Sequence, residues 1–422
     1  MKMIFSGIAS GSVCRTLALS AVMAVALSGC PSQYNTPRQT GNNMPISGGQ
    51  KISEPVEVAR ELFERGKALS EQGKTQEANA VFEELDRRFG LDDRRAVQSY
   101  VTQALAIRAQ SASTTEEALS VHKEIENRYG DNLESGTRKQ LVASLFGKAA
   151  SLGKTGNLAK AIPVYEEIEQ IYGDDKTSGV WAIFWQGELS RQLRRLRNAV
   201  AAFDRLDQRF GQERDPAVLS VVADALFKKA EILTEQGDTR GAVAIYEDID
   251  KRFSGERDIS LRKRALDALF AQGTLLGKQG AEAGISGNPV AAVAVYDEII
   301  QRFGNEKDPT LRRAVGNTLL KKSETLRLLG DNPGTIAVYD EIISRYSDDN
   351  VLFPRILVAT VMFRKGQALG RQEGGANAAM AVFDELTQRF AADTHPNVRK
   401  IVGQAVVARQ KLATGMEPMH DN

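Results

Sequence analysis

The stretch ALFKKAEILTEQGDTRGAVAIYEDIDKRF, residues 225–253, decides the fold. In its first half Leu226, Ala230 and Leu233 recur at helical spacing. In its second half Ala242, Tyr246, Ile249 and Phe253 do the same. Apolar residues at i, i+3/i+4 and i+7 mark one buried face of a helix; a half-buried strand would alternate every second residue. Gly237 lies between the two runs and can take the left-handed conformation that ends a helix. The stretch therefore predicts two amphipathic helices folded back on each other.

Working outward, the second half recurs along the chain. Its first aromatic position is Phe82, Tyr165, Phe203, Tyr246, Tyr296, Tyr339 and Phe383, with His122 as the exception. Seven residues on stand Phe89, Tyr129, Tyr172, Phe210, Phe253, Phe303, Tyr346 and Phe390. Between them lies Leu85, Ile125, Ile168, Leu206, Ile249, Ile299, Ile342 or Leu386. Alanine stands four residues before the first aromatic in every copy except the one with Thr335. The copies number about eight at a spacing of about 43 residues. Upstream of each is a second apolar run with a small residue where the helices would cross: Gly66, Ala106, Ala149, Gly187, Ala230, Gly273 and Gly366. One such hairpin cannot cover its own apolar face, so neighbours must stack.

This order of small residue, glycine turn, alanine and aromatic resembles the tetratricopeptide-repeat family over residues 56–393. The resemblance implies an all-α fold, a right-handed α-solenoid of about eight helical hairpins over 54–393. The run from Val398 to Leu412, within 394–422, is expected to cap the last repeat. The period exceeds the family's usual ~34 residues, which predicts lengthened first helices. An insertion in repeat six, Gly277 to Pro289, predicts a projecting loop.

The N-terminal 53 residues contain no Asp or Glu, and Lys2 and Arg15 precede a short apolar run from Thr16 to Leu27. That run is too short for a bilayer span, which needs about 20 residues, and reads as a secretory signal over 1–29. Leu27-Ser28-Gly29-Cys30 resembles the lipobox of bacterial lipoproteins. The resemblance implies lipidation at Cys30, an anchor in the membrane, and a place in the cell envelope. Pro31 in the following position implies the outer membrane, facing the periplasm. A plain signal peptide with an incidental cysteine is the alternative. Residues 30–53, rich in Pro, Gly, Asn, Ser and Gln, read as a flexible tether.

Charge and chemistry narrow the function. With 55 basic and 54 acidic residues the net charge is +1, which is no footprint of a nucleic-acid binder. Cys14 and Cys30 are the only cysteines, so the repeats hold no thiol nucleophile and no disulfide. His122, His395 and His420 have no metal-ligand spacing, and no Gly-x-Ser-x-Gly or phosphate-loop motif occurs. The chain is expected to be a scaffold binding peptides or proteins, not an enzyme, with no cofactor and no metal.

Two candidate partner-binding features stand out. Repeat four holds Trp181 and Trp185 one turn apart, then Arg191, Arg194, Arg195 and Arg197. Trp and Arg are enriched at binding hot spots, so this repeat could take an acidic partner segment. An anionic envelope polymer, peptidoglycan or lipopolysaccharide, is the alternative ligand, and a degenerate repeat with a solvated turn is the structural one. Arg194 stands where other repeats have the turn glycine. The second feature is a first-helix ladder of Phe63, Phe146, Phe184, Phe227, Phe270 and Phe363. It could line a peptide groove or pack in the core.

Overall fold

The computed structural model describes residues 54–130, 133–278, 288–347 and 351–414. Among the described residues there are seventeen α-helices and no strand. The described helices fall into two compact units, divided between Ala225 and Leu226.

The first unit is a run of hairpins. They are α1 (Glu54–Glu71) with α2 (Thr75–Phe89), α3 (Arg95–Ser111) with α4 (Thr115–Tyr129), α5 (Ser135–Lys154) with α6 (Leu158–Tyr172), and α7 (Lys176–Gln192) with α8 (Leu196–Phe210). Successive hairpins stack, with α1 against α3 and α3 against α5. Helix α9 (Pro216–Glu235) carries the chain across the division between units.

The second unit continues the pattern. It holds α10 (Thr239–Phe253), α11 (Ile259–Lys278), α12 (Pro289–Phe303), α13 (Pro309–Leu328), α14 (Asn332–Tyr346), α15 (Leu352–Gly370), α16 (Ala376–Arg389) and α17 (Pro396–Ala413). Helix α17 lies against α15 and α16, burying Val398 and Ala405 at the end of the array. Each unit is thus an α-solenoid segment of stacked helical pairs. First helices α5, α9, α11 and α13 run to 20 residues, whereas second helices have 14 or 15, so the long period sits in the first helix.

The recurring columns are the core. Phe82, Tyr165, Phe203, Tyr246, Tyr296, Tyr339 and Phe383 are all buried, as is the leucine or isoleucine three residues on. Each buried aromatic removes apolar surface worth roughly 1.5–3 kcal/mol from water. The rings sit where the helices cross on a small residue. A Cβ built on Gly187 would lie 2.5 Å from Phe203 Cε1, and one on Gly273 would lie 2.7 Å from Tyr296 Cε1.

Turn chemistry follows the same economy. Gly73, Gly156, Gly237 and Gly330 have φ of 76°, 82°, 81° and 77°. In repeat four Arg194 takes that left-handed position at φ 58°. The same two hydrogen bonds close the turn there, Arg194 N to Arg191 O at 3.0 Å and Arg195 N to Ser190 O at 2.8 Å.

Charged residues hold the register between neighbours. In five of the repeats an acid of the second helix meets a base or amide 25 positions on, in the next first helix. The pairs are Glu83 with Arg108 (3.2 Å), Asp297 with Lys322 (2.6 Å), Asp340 with Lys365 (2.5 Å) and Asp384 with Arg409 (2.6 Å). Gln272 donates to Glu247 at 3.2 Å in the same register. A second set caps helix ends. Arg128, Arg209 and Arg345 donate to the carbonyls of Gly90, Gly173 and Gly304, at the C-termini of the preceding second helices. A cation there satisfies an orphan carbonyl and the negative end of the helix dipole. Acid–Arg pairs one turn apart within the second helices are present too, as in Arg302 with Glu298 at 2.7 Å.

Candidate functional site

Repeat four is where these regularities change. Helix α7 is enclosed along almost its whole length, with every residue from Ala182 to Ser190 buried. Gly179 allows this: a Cβ there would meet the carbonyl of Gly173 at 2.6 Å and the Phe210 ring at 2.9 Å. Trp185 is buried and stacks on Tyr165 with centroids 6.3 Å apart. Trp181 is half-buried, edge-on to Phe184 at 5.6 Å. The tryptophan pair expected at a partner surface is therefore split, and Trp185 belongs to the packing because its ring fills the space beside Tyr165.

The four arginines also separate. Arg191 grips the buried Glu188 through two bonds, Nε to Oε2 at 2.9 Å and Nη2 to Oε1 at 2.7 Å, and Gln192 adds a third at 3.1 Å. It is thus part of the hairpin's own structure. Arg194, Arg195 and Arg197 are exposed. Arg195 is the residue before α8, where a side-chain oxygen would normally accept an N–H; it makes no such cap.

Beside these residues lies a cleft of about 350 Å³ between α6, α7 and α8. Its α6 wall is Ala159, Ile162, Pro163 and Glu166. Gln186 and Ser190 of α7 form the floor, both only 4% exposed. Arg195 before α8, with Asn198, Ala201, Ala202 and Arg205 of α8, makes the other wall. Gln186 is held by the surrounding network: it donates to Tyr165 O at 3.2 Å and to Glu169 at 2.8 Å, and accepts from Arg205 at 2.6 Å. Arg205 also reaches Glu169 at 3.2 Å. The hydroxyl of Ser190 and the side chains of Glu166, Arg195 and Asn198 have no polar partner among the described residues. Pro163 lacks an N–H, so the Ala159 carbonyl one turn earlier loses its helical donor.

The phenylalanine ladder packs against neighbouring aromatic rings. Phe63, Phe146 and Phe184 are buried, and Phe227, Phe270 and Phe363 half-buried. Five of these rings lie 5.4–6.1 Å from the second-helix aromatic of their own repeat, and Phe63 lies 5.6 Å from Tyr100. Arg264 covers the Phe227 ring at 5.0 Å. Five of the rings thus pack on the second helix of their own repeat and Phe63 on the first helix of the next, while Phe227, Phe270 and Phe363 keep part of their surface exposed.

His122 occupies an aromatic column and is fully buried. Its ring shares hydrogen bonds with Tyr172 Oη (3.2 Å) and Ser144 Oγ (3.4 Å). Burial, aided by the Lys148 charge, pushes its pKa down to about 3. Among the described residues no group of three or more His, Cys, Asp or Glu is placed to hold a metal, and no helix is long and apolar enough to cross a membrane. Cys30, the signal and tether, the 277–289 loop expectation over 279–287, and the C-terminal tail from 415 lie outside the described residues.

Residues 224–255, the end of α9 and all of α10, match the family model for the tetratricopeptide repeat. That helical pair is a tetratricopeptide repeat. None of the curated proteins matches the chain. Among solved structures, these repeats are similar to the apo form of RapI, at 11% identity over 86% of this chain and 100% of that one, with a TM-score of 0.42. They are also similar to the apo form of the quorum sensor NprR from B. thuringiensis (11% identity, 85% and 99% covered, TM-score 0.37). A tetratricopeptide repeat protein from Parabacteroides merdae ATCC 43184 is similar at 8% identity, with 83% and 99% covered and a TM-score of 0.28.

Proposed function

We propose that this chain is a lipid-anchored interaction scaffold of the cell envelope, holding a peptide or protein partner on its helical repeats. The observation that carries the scaffold reading is the repeat-four cleft, where Glu166, Ser190, Arg195 and Asn198 line one opening with no protein partner among the described residues. Support for the anchor is the sequence Leu27-Ser28-Gly29-Cys30 after a basic and then apolar leader. Pro31 supports the outer membrane, with the repeats facing the periplasm.

Two measurements test the reading. Radioactive palmitate should label the wild type and not Cys30→Ala; label retained in the variant would refute the anchor. Crosslinking in intact cells, followed by mass spectrometry, should recover one partner whose yield falls with Arg195→Glu. Recovery of neighbours only in proportion to their abundance would refute the scaffold. The second reading, an anionic polymer on repeat four, draws on exposed Arg194, Arg195 and Arg197. It predicts that purified lipopolysaccharide or peptidoglycan pulls down the wild type and not Arg194→Glu/Arg195→Glu.

A further inference from the structure

We infer that the cleft between α6, α7 and α8 receives an extended peptide segment carrying a single acidic side chain, which Arg195 and Ser190 hold at the start of α8. This rests on the scaffold reading and names the chemistry of its partner.

Two independent observations converge on the acidic group. The first is the N-terminus of α8. A helix start favours negative charge through its free N–H groups and dipole. In four of the other seven repeats the preceding residue supplies that oxygen from within the chain: Thr114 accepts from Glu117 N, Asp238 from Gly241 N, Asn288 from Ala291 N and Asp331 from Gly334 N, whereas Lys74, Asn157 and Gly375 do not. In repeat four the residue is Arg195, which adds a cation where an oxygen is wanted and leaves the helix start uncapped by any side chain. The second is Ser190. It is 4% exposed, lines the cleft, and its hydroxyl has no partner among the described residues. A carboxylate in the cleft would take a hydrogen bond from that hydroxyl and a charge-assisted one from Arg195.

The opposite wall argues for a peptide over a polyanion. Glu166 presents an exposed, unpaired carboxylate, and the Ala159 carbonyl lacks its helical donor. These are acceptors, and they suit backbone N–H groups. A dense run of sulfates or phosphates would face Glu166 with repulsion. Ile162, Pro163, Ala201 and Ala202 supply apolar surface for the carbons flanking the acid. A peptide with one acid and free backbone N–H groups meets all three requirements.

The test is selection of displayed random peptides on the full chain, with Arg195→Glu and Ser190→Val as comparison variants, both checked for an unchanged helical circular-dichroism spectrum and melting temperature. Selected peptides should carry Asp or Glu at one fixed position. Changing that residue to Asn or Gln should weaken binding at least ten-fold. Arg195→Glu should weaken it by at least the same factor, and Ser190→Val by several-fold. Peptides that bind but carry no fixed acid, or that bind Arg195→Glu equally well, would overturn this site while leaving the scaffold reading intact. Failure to enrich any peptide would overturn both. If dextran sulfate or lipopolysaccharide displaced the selected peptides more strongly from the wild type than a matched free peptide does, the polyanion would be the better occupant and the inference would fall.

Discussion

Replacing glycine by alanine should have opposite effects at two helical positions in the same unit. At Gly187 the added methyl would sit 2.5 Å from Phe203 Cε1, 2.8 Å from Cδ1 and 2.9 Å from Cζ. Ordinary contact begins near 3.4 Å, so ring and helix must separate by roughly 1 Å. Phe203 is completely buried and its ring also meets Phe184 at 6.1 Å, so it has little room to retreat. Overpacking of this kind costs about 1–3 kcal/mol, against a helix-propensity gain of about 1 kcal/mol. Gly187→Ala should therefore be destabilising by about 1 kcal/mol, the midpoint of a net cost of about 0–2 kcal/mol. Gly147, in α5, has nothing within 4 Å of the same built atom. There the propensity gain stands alone, and Gly147→Ala should stabilise by up to about 1 kcal/mol. Thermal unfolding followed by circular dichroism should separate the two variants by several degrees, since about 1 kcal/mol moves the midpoint by roughly 2–4 °C in a unit of this size. Phe203→Leu should rescue Gly187→Ala in a double-mutant cycle, with a coupling of about 1 kcal/mol. A midpoint for Gly187→Ala at or above that of Gly147→Ala would refute the close-crossing account.

Other substitutions probe repeat four and the buried histidine. Arg194→Gly should raise stability by about 1 kcal/mol, because a side chain at φ 58° is disfavoured; an unchanged or lower midpoint would count against strain at this turn. Arg191→Ala should cost on the order of 3 kcal/mol by stranding the buried Glu188, while Arg197→Ala, at an exposed site, should change the midpoint by less than about 0.5 kcal/mol; equal effects would dismiss the buried pair. His122 has a folded pKa of about 3 against an ordinary value of 6.5, so the unfolded chain takes up the proton first and stability falls as pH drops below 6.5. With Lys148 and Ser144 facing it from α5 and Tyr172 from α6, the loss at pH 5 should be about 2 kcal/mol. His122→Phe should flatten melting midpoints between pH 7 and pH 5, and an unchanged slope in that variant would refute the assignment.

The helical pairs were legible because every repeat obeys the same constraint. Ala242, Tyr246, Ile249 and Phe253 share one helix face, and a residue at that spacing has no other way to be buried. Arg194 was visible as a substitution at a glycine position, and the structure gives it the glycine's backbone. The two tryptophans were harder. Trp181 and Trp185 are one turn apart, yet the stack encloses one and leaves the other half-exposed, and their spacing says nothing about which neighbour covers which. The acid–base pairs 25 positions apart were present in the sequence, from Glu83 and Arg108 to Asp384 and Arg409. They escape a reading of single helices because each pair joins one repeat to the next. The cleft could not be anticipated: it depends on which side chains fail to find partners, a property of the assembled hairpins.

That failure has an identifiable cause. Counting 25 positions from Glu166 leads to Arg191, the residue that the register of the other repeats would place against it. Arg191 turns instead to Glu188 on its own helix. A carboxylate buried as deeply as Glu188 must be neutralised, and an adjacent guanidinium with two well-formed bonds is the least expensive way to do it. One acid placed inside α7 thus withdraws the fastener that would have crossed to Glu166. Glu166 is left unpaired on one wall of the cleft, and the turn that follows, with Arg194 in a strained conformation and Arg195 at an uncapped helix start, supplies the opposite wall. The departures of repeat four are therefore connected: the residues that depart from the pattern are those that keep the cleft polar, open and asymmetric in charge.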